Sequence, residues 1–452
     1  MTPPLASYRE TIAFLEDLTA RPILPREQVG LSRINALLDA LDHPERGCSA
    51  IQVAGTAGKG STTTMAATIL REAGYRTGSF MSPHLQSYRE RITLDGAPIS
   101  EDLWIRAMNQ LLPILDRMEA NALPGYVGGR AAFLEVLWAM ACLAYKEQGV
   151  SHVVVETGMG GRLDPTSANV ASVAVVTNVS LDHVERLGYS VEEIALEKAG
   201  IIKHGQRVIS AASEKAMQVL RAACQAHQAG LWEVGSQGDV TVIPETPEPD
   251  APLTIVTPIR RHSGLVLGLK GAHQRLNAAC AVAGVDALAA ASDLVIAPAA
   301  VAAGLAASRI PGRLELLDGR PQVLLDGAHN VAEAEALAEA LRTLYGGRRI
   351  VMLLGILGDK DYTAITTLLS ALAAAVVVSE PPWRSRAGVA ARIAAQARLF
   401  SPHVEEHDDP AEGFARVRSL AGTDDLIVVA GSLILVGAVR QMLVPNAAEM
   451  IS

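Results

Sequence analysis

The sequence predicts an α/β protein: a large unit on a mostly parallel sheet, followed by a smaller doubly wound sheet. Three observations carry this. Short β-branched runs alternate with Ala/Leu-rich helical patterns along almost all of the 452 residues, as strands joined by crossover helices do. Several of those runs end in glycines or in side chains able to bind ligands, where open parallel sheets place their sites. A Pro311-Gly312 turn signal separates two such series.

The expected strands are Ala50–Ala54, His152–Glu156, Ser172–Thr177, Arg207–Ser210, Gln322–Leu325, Ile350–Leu354, Ala375–Val378 and Leu426–Ala430. Helical patterns fall between them at Phe133–Gln148, Val191–Gly200, Lys215–Gln228 and Val331–Leu344. Residues 235–265 carry prolines and β-branched runs and read as a small β-rich excursion. Helix resumes over Gly271–Leu288, and Ala297–Ile310 leads into the Pro311-Gly312 turn. The division is placed at 305/306, giving segments 1–305 and 306–452.

Bulk properties exclude several classes. Acidic residues outnumber basic ones 48 to 39, for a net charge of −9, which argues against nonspecific nucleic-acid or anionic-membrane binding. The four cysteines, Cys48, Cys142, Cys224 and Cys280, show no metal spacing and read as reduced thiols. The first residues lack a signal-peptide pattern. The apolar run Ala364–Val378 is too short to span a membrane. A soluble cytoplasmic enzyme is expected.

The most informative segment is Val53-Ala54-Gly55-Thr56-Ala57-Gly58-Lys59-Gly60-Ser61-Thr62-Thr63. An apolar strand runs into a glycine-rich loop, and a helical stretch (Thr64–Ala73) follows. Glycines let backbone N–H groups turn inward, the helix N-terminus adds positive potential, and Lys59 can reach terminal phosphates. Ser61 is placed to hold a magnesium ion that bridges them. The spacing departs from the strict G-x-x-x-x-G-K-[ST] form, and a plain strand-to-helix turn is the competing reading.

Other strand ends extend the pattern. Glu156 closes Val153-Val154-Val155 and is either a metal ligand or a charge paired with Arg162. His183 follows the strand that ends in Thr177-Asn178, as a ligand or a structural histidine. Lys198 lies in Glu197-Lys198-Ala199-Gly200. It is either a solvated lysine paired with Glu197 or a desolvated one open to carbamate formation. Arg313, Asp326 and His329 could close over a nucleotide; salt bridging and helix capping by Asn330 are the alternatives.

In order, these stretches resemble the folylpolyglutamate synthase and dihydrofolate synthase branch of the Mur ligase superfamily, from about Gly30 to Arg440. Further shared motifs are Ser82-Pro83-His84-Leu85, His273-Gln274-Arg275-Leu276-Asn277, Pro311 through Glu315, and Gly431-Ser432-Leu433 with Leu435-Val436-Gly437. The resemblance implies a P-loop ATPase domain with a mostly parallel sheet plus a smaller Rossmann-like C-terminal domain. It implies ATP on Gly58, Lys59, Gly60, Ser61, Asn277, Arg313 and Asp326, with His329 nearby. It implies two Mg²⁺ sites, one on Ser61, Ser82 and Glu156 and one on Glu156 and His183, and a carbamylated Lys198. Lys59, Lys198 and His183 would be the catalytic groups. The pterin carboxylate would lie near Ala132, Phe133, Leu134 and Glu135 and near Leu163, Asp164 and Pro165. The implied reaction joins L-glutamate to that carboxylate through an acyl phosphate, in a monomer.

The sequence departs from the family pattern at Ala57, where Asn is usual, at Ala132, and at Pro165-Thr166-Ser167, where Ala-Thr-Asn is usual. Val331 replaces a proline. These changes concentrate near the acceptor. A paralogue that activates a different carboxylate is therefore the second reading, and a nucleotide-binding protein without turnover is the third.

Overall fold

The computed structural model describes every residue except 1, 125, 127, 170, 249, 293, 383–388 and 445–452. The last eight positions of the expected 306–452 segment thus lie outside the described residues. Among those described, the chain forms an eight-stranded, a three-stranded and a six-stranded sheet. The larger unit is a P-loop-type α/β domain and the smaller is Rossmann-like.

The first sheet runs, from one edge, Ala97–Pro98, Ile92–Leu94, Thr77–Phe80, His152–Glu156, Ser49–Ala54, Val173–Val176, Arg207–Ser210 and Gly230–Glu233. The six strands from Thr77–Phe80 onward pair in parallel; the two edge strands turn back antiparallel. Ser49–Ala54 lies between two strands that come later in the chain. Val53 stands opposite Glu156 on one side and Val175 on the other. Helices cover both faces, so these strands are valine-rich and buried throughout. The loops after Ala54, Glu156 and Val176 consequently emerge together at one edge.

Helix Lys59–Glu72 starts five residues before the stretch expected from the pattern. Gly58, at φ +81°, makes the turn, and Ser61, Thr62 and Thr63 are buried rather than loop residues. Helix Gln274–Ser292 lies beside it, and Gly304 of helix Pro298–Ala307 sits against Ile69: a Cβ at Gly304 would meet Ile69 Cα at 2.6 Å. The division at 305/306 therefore falls inside helix Pro298–Ala307, which packs on the first unit.

The β-rich excursion is an antiparallel sheet of Thr241–Pro244, Leu253–Val256 and Arg261–Leu265. A buried polar cluster ties it to helix Gln274–Ser292. The Asp286 carboxylate accepts from Thr257 Oγ1 at 2.7 Å and pairs with His262 Nε2 at 3.0 Å and Arg260 Nε at 3.2 Å.

The second sheet runs Glu315–Leu317, Gln322–Leu325, Leu426–Ala430, Ile350–Leu354, Ala375–Val378 and Val404–Glu406, parallel except for its first strand. Leu325 leads into Asp326-Gly327-Ala328-His329, and Asn330 caps helix Val331–Leu344 by accepting Glu333 N–H at 2.9 Å.

Replacing Asp286 by Ala would leave buried His262 without its partner and remove the ion pair of half-buried Arg260, while Thr257 Oγ1 would keep only the Arg260 carbonyl. Removing one partner of a buried charged cluster costs about 3–5 kcal/mol. The Asp286→Ala urea midpoint should fall accordingly, and a loss below about 1 kcal/mol would deny the cluster its structural role.

Candidate active site

The phosphate loop is built from backbone and pinned by its neighbour. Thr56 N donates to Asn178 O at 3.0 Å, Ala57 N to Asn178 Oδ1 at 2.8 Å, and Thr177 Oγ1 to Ala57 O at 2.6 Å. Asn178 thus holds the loop from outside at Ala57. Gly58 is required sterically as well as by its φ, since a Cβ there would stand 2.2 Å from Asn277 Oδ1. That contact also brings Asn277 against the loop. Lys59 Nζ donates to the carbonyls of Gly55 (3.1 Å) and Thr56 (3.2 Å), which holds its ammonium against the loop.

Glu156 ends its strand almost fully buried, and Oε2 accepts the Ser82 N–H at 3.2 Å. It is not paired with Arg162, whose guanidinium instead bonds Glu197 Oε1 at 2.9 and 2.7 Å. Burial pushes the Glu156 carboxyl up, partly offset by Lys59, the Ser82 N–H, Arg313 and Arg91. No group of three or more His, Cys, Asp or Glu able to hold a metal occurs among the described residues. One carboxylate, the Ser61 and Ser82 hydroxyls, phosphate oxygens and water would be the donors. That hard-oxygen set fits Mg²⁺, which keeps several waters and relies on substrate phosphates.

Gly158 marks where the site parts converge. A Cβ there would meet Leu134 Cδ2 at 2.6 Å, Asp164 Oδ2 at 3.2 Å and Ser82 Oγ at 3.8 Å. Buried Asp164 organises this loop, accepting from Gly158 N (2.9 Å), Met159 N (3.1 Å), Thr166 N (3.1 Å) and Thr166 Oγ1 (2.6 Å). Pro165 opens the short turn Pro165–Ala168 behind it, where a missing N–H costs nothing. Leu163 lies on the same loop, half-buried.

Ala132, Phe133, Leu134 and Glu135 begin helix Phe133–Glu147. Glu135 is buried and structural in its contacts: it takes Arg33 Nε at 3.0 Å and the Ala132 N–H at 2.6 Å. Phe133 stacks under the Arg91 guanidinium, 5.3 Å from its ring centre, and near Tyr88. Arg91 Nε in turn donates to His84 Nδ1 at 2.9 Å, and burial pushes His84 down to about 3, leaving it neutral. An aromatic, cation-edged wall therefore runs from Phe133 to the Ser82-Pro83-His84 loop.

Lys198 is buried, not solvated, and Glu197 beside it pairs with Arg162 instead. The helix end presses backbone to backbone on the Glu156–Asp164 loop: a Cβ at Gly161 would meet Lys198 O at 2.8 Å. Burial, then the Lys59 charge, lowers the Lys198 ammonium to about 7, against a raising effect of Asp182. His183 is exposed, at φ +48°. Partial desolvation of its ring by the surrounding groups lowers its pKa even though its edge meets solvent, Asp182 opposes this, and Lys360, Lys59 and His329 add to the lowering. It therefore stands where the two units meet.

From the second unit, the Asp326 carboxylate accepts from Leu314 N at 2.8 Å and Ala328 N at 2.9 Å, and burial raises it to about 6. Glu333 pairs with Arg313 Nη1 at 3.5 Å and His329 Nδ1 at 3.0 Å. Burial alone would lower Arg313, but Glu333, Asp326 and Glu156 outweigh it and hold the guanidinium charged. Glu333 was not singled out from the sequence. Its signal is the position three residues after the cap Asn330, where a helix N-terminus favours a carboxylate.

A cavity of about 700 Å³ joins these parts. Gly58, Gly60, Ser61, Ser82, Glu156 and Asn277 line one side, and Arg313, Asp326 and Glu333 the other. Lys59, Lys198, His183, His329, Ala132 to Glu135 and Leu163 to Pro165 are not among its lining residues; Lys59 bonds the loop carbonyls, His329 pairs with Glu333, and Leu134 and Asp164 approach Gly158.

This is the architecture of a Mur-type ligase, and two family models match: the Mur ligase middle domain over residues 135–285, and the Mur ligase glutamate ligase domain over 312–433. The dihydrofolate synthase/folylpolyglutamate synthase of Bacillus subtilis (strain 168) is 33% identical over 418 residues, covering 92% of this chain and 95% of that protein. A Mycobacterium tuberculosis folylpolyglutamate synthase solved with ADP and AMPPCP superposes at TM-score 0.86, 32% identical, covering 96% of this chain and 98% of that one. A Yersinia pestis bifunctional folylpolyglutamate synthase/dihydrofolate synthase, solved with AMPPNP and a Mn ion, superposes at 0.83 with 26% identity, covering 98% and 100%. The chain belongs to the folylpolyglutamate synthase/dihydrofolate synthase family, and it is an ATP-dependent ligase.

A lysine at about 7 is about one-tenth neutral at pH 6 and about nine-tenths neutral at pH 8. Only the neutral amine takes up CO₂. The initial rate of Lys198 carbamylation in the apo protein, followed by ¹³CO₂ NMR at fixed dissolved CO₂, should rise about tenfold over that interval, because the attack uses the neutral amine and its proton is lost to buffer. An ordinary lysine would give about a hundredfold rise, and that result would place Lys198 in water.

Proposed function

We propose that this protein joins L-glutamate to a pterin carboxylate (dihydropteroate, folates, or both) in the interdomain cavity. The observation that carries this reading is the cavity's two-sided lining. A phosphate loop with a buried carboxylate faces an Arg313–Glu333–His329 cluster, and the aromatic wall at Phe133 adjoins it through Gly158.

The acceptor carboxylate oxygen attacks the γ-phosphorus of ATP. A P–O bond forms, the bond to ADP breaks, and an acyl phosphate results. The glutamate amine then attacks the acyl carbon; a C–N bond forms, the C–O bond to phosphate breaks, and the amine loses a proton. Phosphorylation is needed because a carboxylate is a poor acyl donor. Lys59 and Arg313 stabilise charge on the transferred group from opposite sides. Gly58, Gly60 and Ser61 hold the phosphates, with Asn277, Asp326 and His329 around the rest of the nucleotide.

Ser61, Ser82 and Glu156 would hold one Mg²⁺, and Glu156 with His183 a second, supplying further neutralisation of phosphate charge. A carbamate on Lys198 would place a negative group near Lys59. Asp164, through its hydrogen bonds to Gly158 and Met159, keeps the acceptor loop in shape. Segments 1–305 and 306–452 would act as the ATP-binding and ligase units of a monomer. No helix among the described residues is long and apolar enough to cross a membrane.

Two measurements test this. Phosphate release with ATP, L-glutamate and dihydropteroate or a folate should show turnover; release only with other carboxylates would establish a paralogue, and none with any acceptor a binding protein. Lys59→Ala should lower turnover by at least about 10³-fold with the fold intact. Near-normal activity in that variant would remove the phosphate-cradle assignment.

A further inference from the structure

The loop Ser82–Ser87 is fixed at both ends to different parts of the molecule. At one end, Ser82 N–H donates to Glu156 Oε2 at 3.2 Å. At the other, half-buried Leu85 packs against the core of the second unit, at the wall of the cavity. Its socket is made by two glycines. A Cβ at Gly312 would stand 3.2 Å from Leu85 Cδ2, and one at Gly437 only 2.4 Å from the Leu85 carbonyl oxygen. Gly437 is inside helix Leu433–Leu443, where glycine is unfavourable by roughly 1 kcal/mol against alanine. Close approach of the Leu85 backbone is what requires it here.

Polar contacts reinforce the dock. Arg440 Nε pairs with both Glu315 oxygens, at 3.0 and 2.9 Å, and its Nη1 donates to Gln86 Oε1 at 2.6 Å. Gln86 Nε2 donates to Gln441 Oε1 at 2.9 Å. The loop itself is stiff. One carboxylate, Glu90, accepts the N–H groups of Leu85 (2.7 Å), Gln86 (2.9 Å) and Ser87 (2.7 Å). Only Pro83 and His84 separate the docked residue from Ser82. A shift of the second unit is therefore passed to Ser82 rather than absorbed.

We propose that Leu85 is a positioning residue: seated between Gly312 and Gly437, it sets Ser82 against Glu156 according to where the C-terminal unit lies. Cation binding at Ser82 and Glu156 is thereby coupled to the packing of a helix in the other unit. This rests on the assignment of Ser82 and Glu156 to the metal, and the test separates the two ideas.

The probe is Mn²⁺ binding in the presence of ADP, read by EPR of the free ion, alongside ADP affinity in EDTA. Leu85→Ala and Gly437→Ala should each weaken Mn²⁺ binding about tenfold, the lower end of what loss of an outer support costs a metal site. Metal-free ADP affinity should stay within about twofold, and Leu85→Met, which refills the socket, should recover most of the loss. Ser82→Ala is the reference and should weaken Mn²⁺ at least as much. Normal Mn²⁺ binding in Leu85→Ala and Gly437→Ala with a weakened Ser82→Ala overturns the coupling and keeps the metal assignment. Normal binding in all three overturns both. Equal loss of metal-free ADP affinity also overturns the coupling, because it would show general damage to the cleft.

Discussion

A carboxylate at the end of a fully buried parallel strand is costly, and Glu156 is that carboxylate. Burial disfavours its charge, and the surrounding structure supplies positive potential from several directions. Lys59 comes from the phosphate loop, the Ser82 N–H from the neighbouring strand end, Arg91 from the aromatic wall, and Arg313 from the second unit. Each comes from a different segment, so the stability of one charge requires the whole cleft to be assembled. A cation arriving with ATP phosphates would complete the compensation.

The same logic explains the burial of Lys198. Its ammonium is destabilised by burial and by Lys59, so the neutral amine is accessible near pH 7. In the proposed modification the neutral amine would add CO₂ and release a proton, giving an anion near Lys59. Two buried groups whose charge burial disfavours, Glu156 and Lys198, thus flank the loop 157–164, and the proposed cation and carbamate would offset both. The proposed acceptor site lies further out, along Phe133, Leu134 and the Asp164 loop.

The strands were legible because parallel strands buried on both faces appear as continuous apolar runs; His152–Glu156, Arg207–Ser210 and Leu426–Ala430 have the expected bounds. The start of helix Lys59–Glu72 was not, because Gly58 and the serine–threonine cluster mimic loop chemistry while tertiary packing buries Ser61, Thr62 and Thr63. The candidate ligands could be read as strand-end residues. Their partners could not: Glu197 takes Arg162 from Glu156, and Glu333 joins Arg313 to His329. Such pairings are set by the meeting of distant segments, which leaves no local pattern. The docking of Leu85 on Gly437 is of the same kind, since a glycine within a helical run carries no mark of the backbone it faces.

In the proposed mechanism this cleft transfers the γ-phosphoryl group of ATP to a carboxylate before the amide forms. The direct measurement uses an acceptor labelled with ¹⁸O in both oxygens of its reacting carboxylate, with ATP and L-glutamate, and mass analysis of the released phosphate. Transfer through an acyl phosphate places one ¹⁸O in each phosphate molecule formed with product. Phosphate free of ¹⁸O, released at the rate of amide formation, would contradict the account.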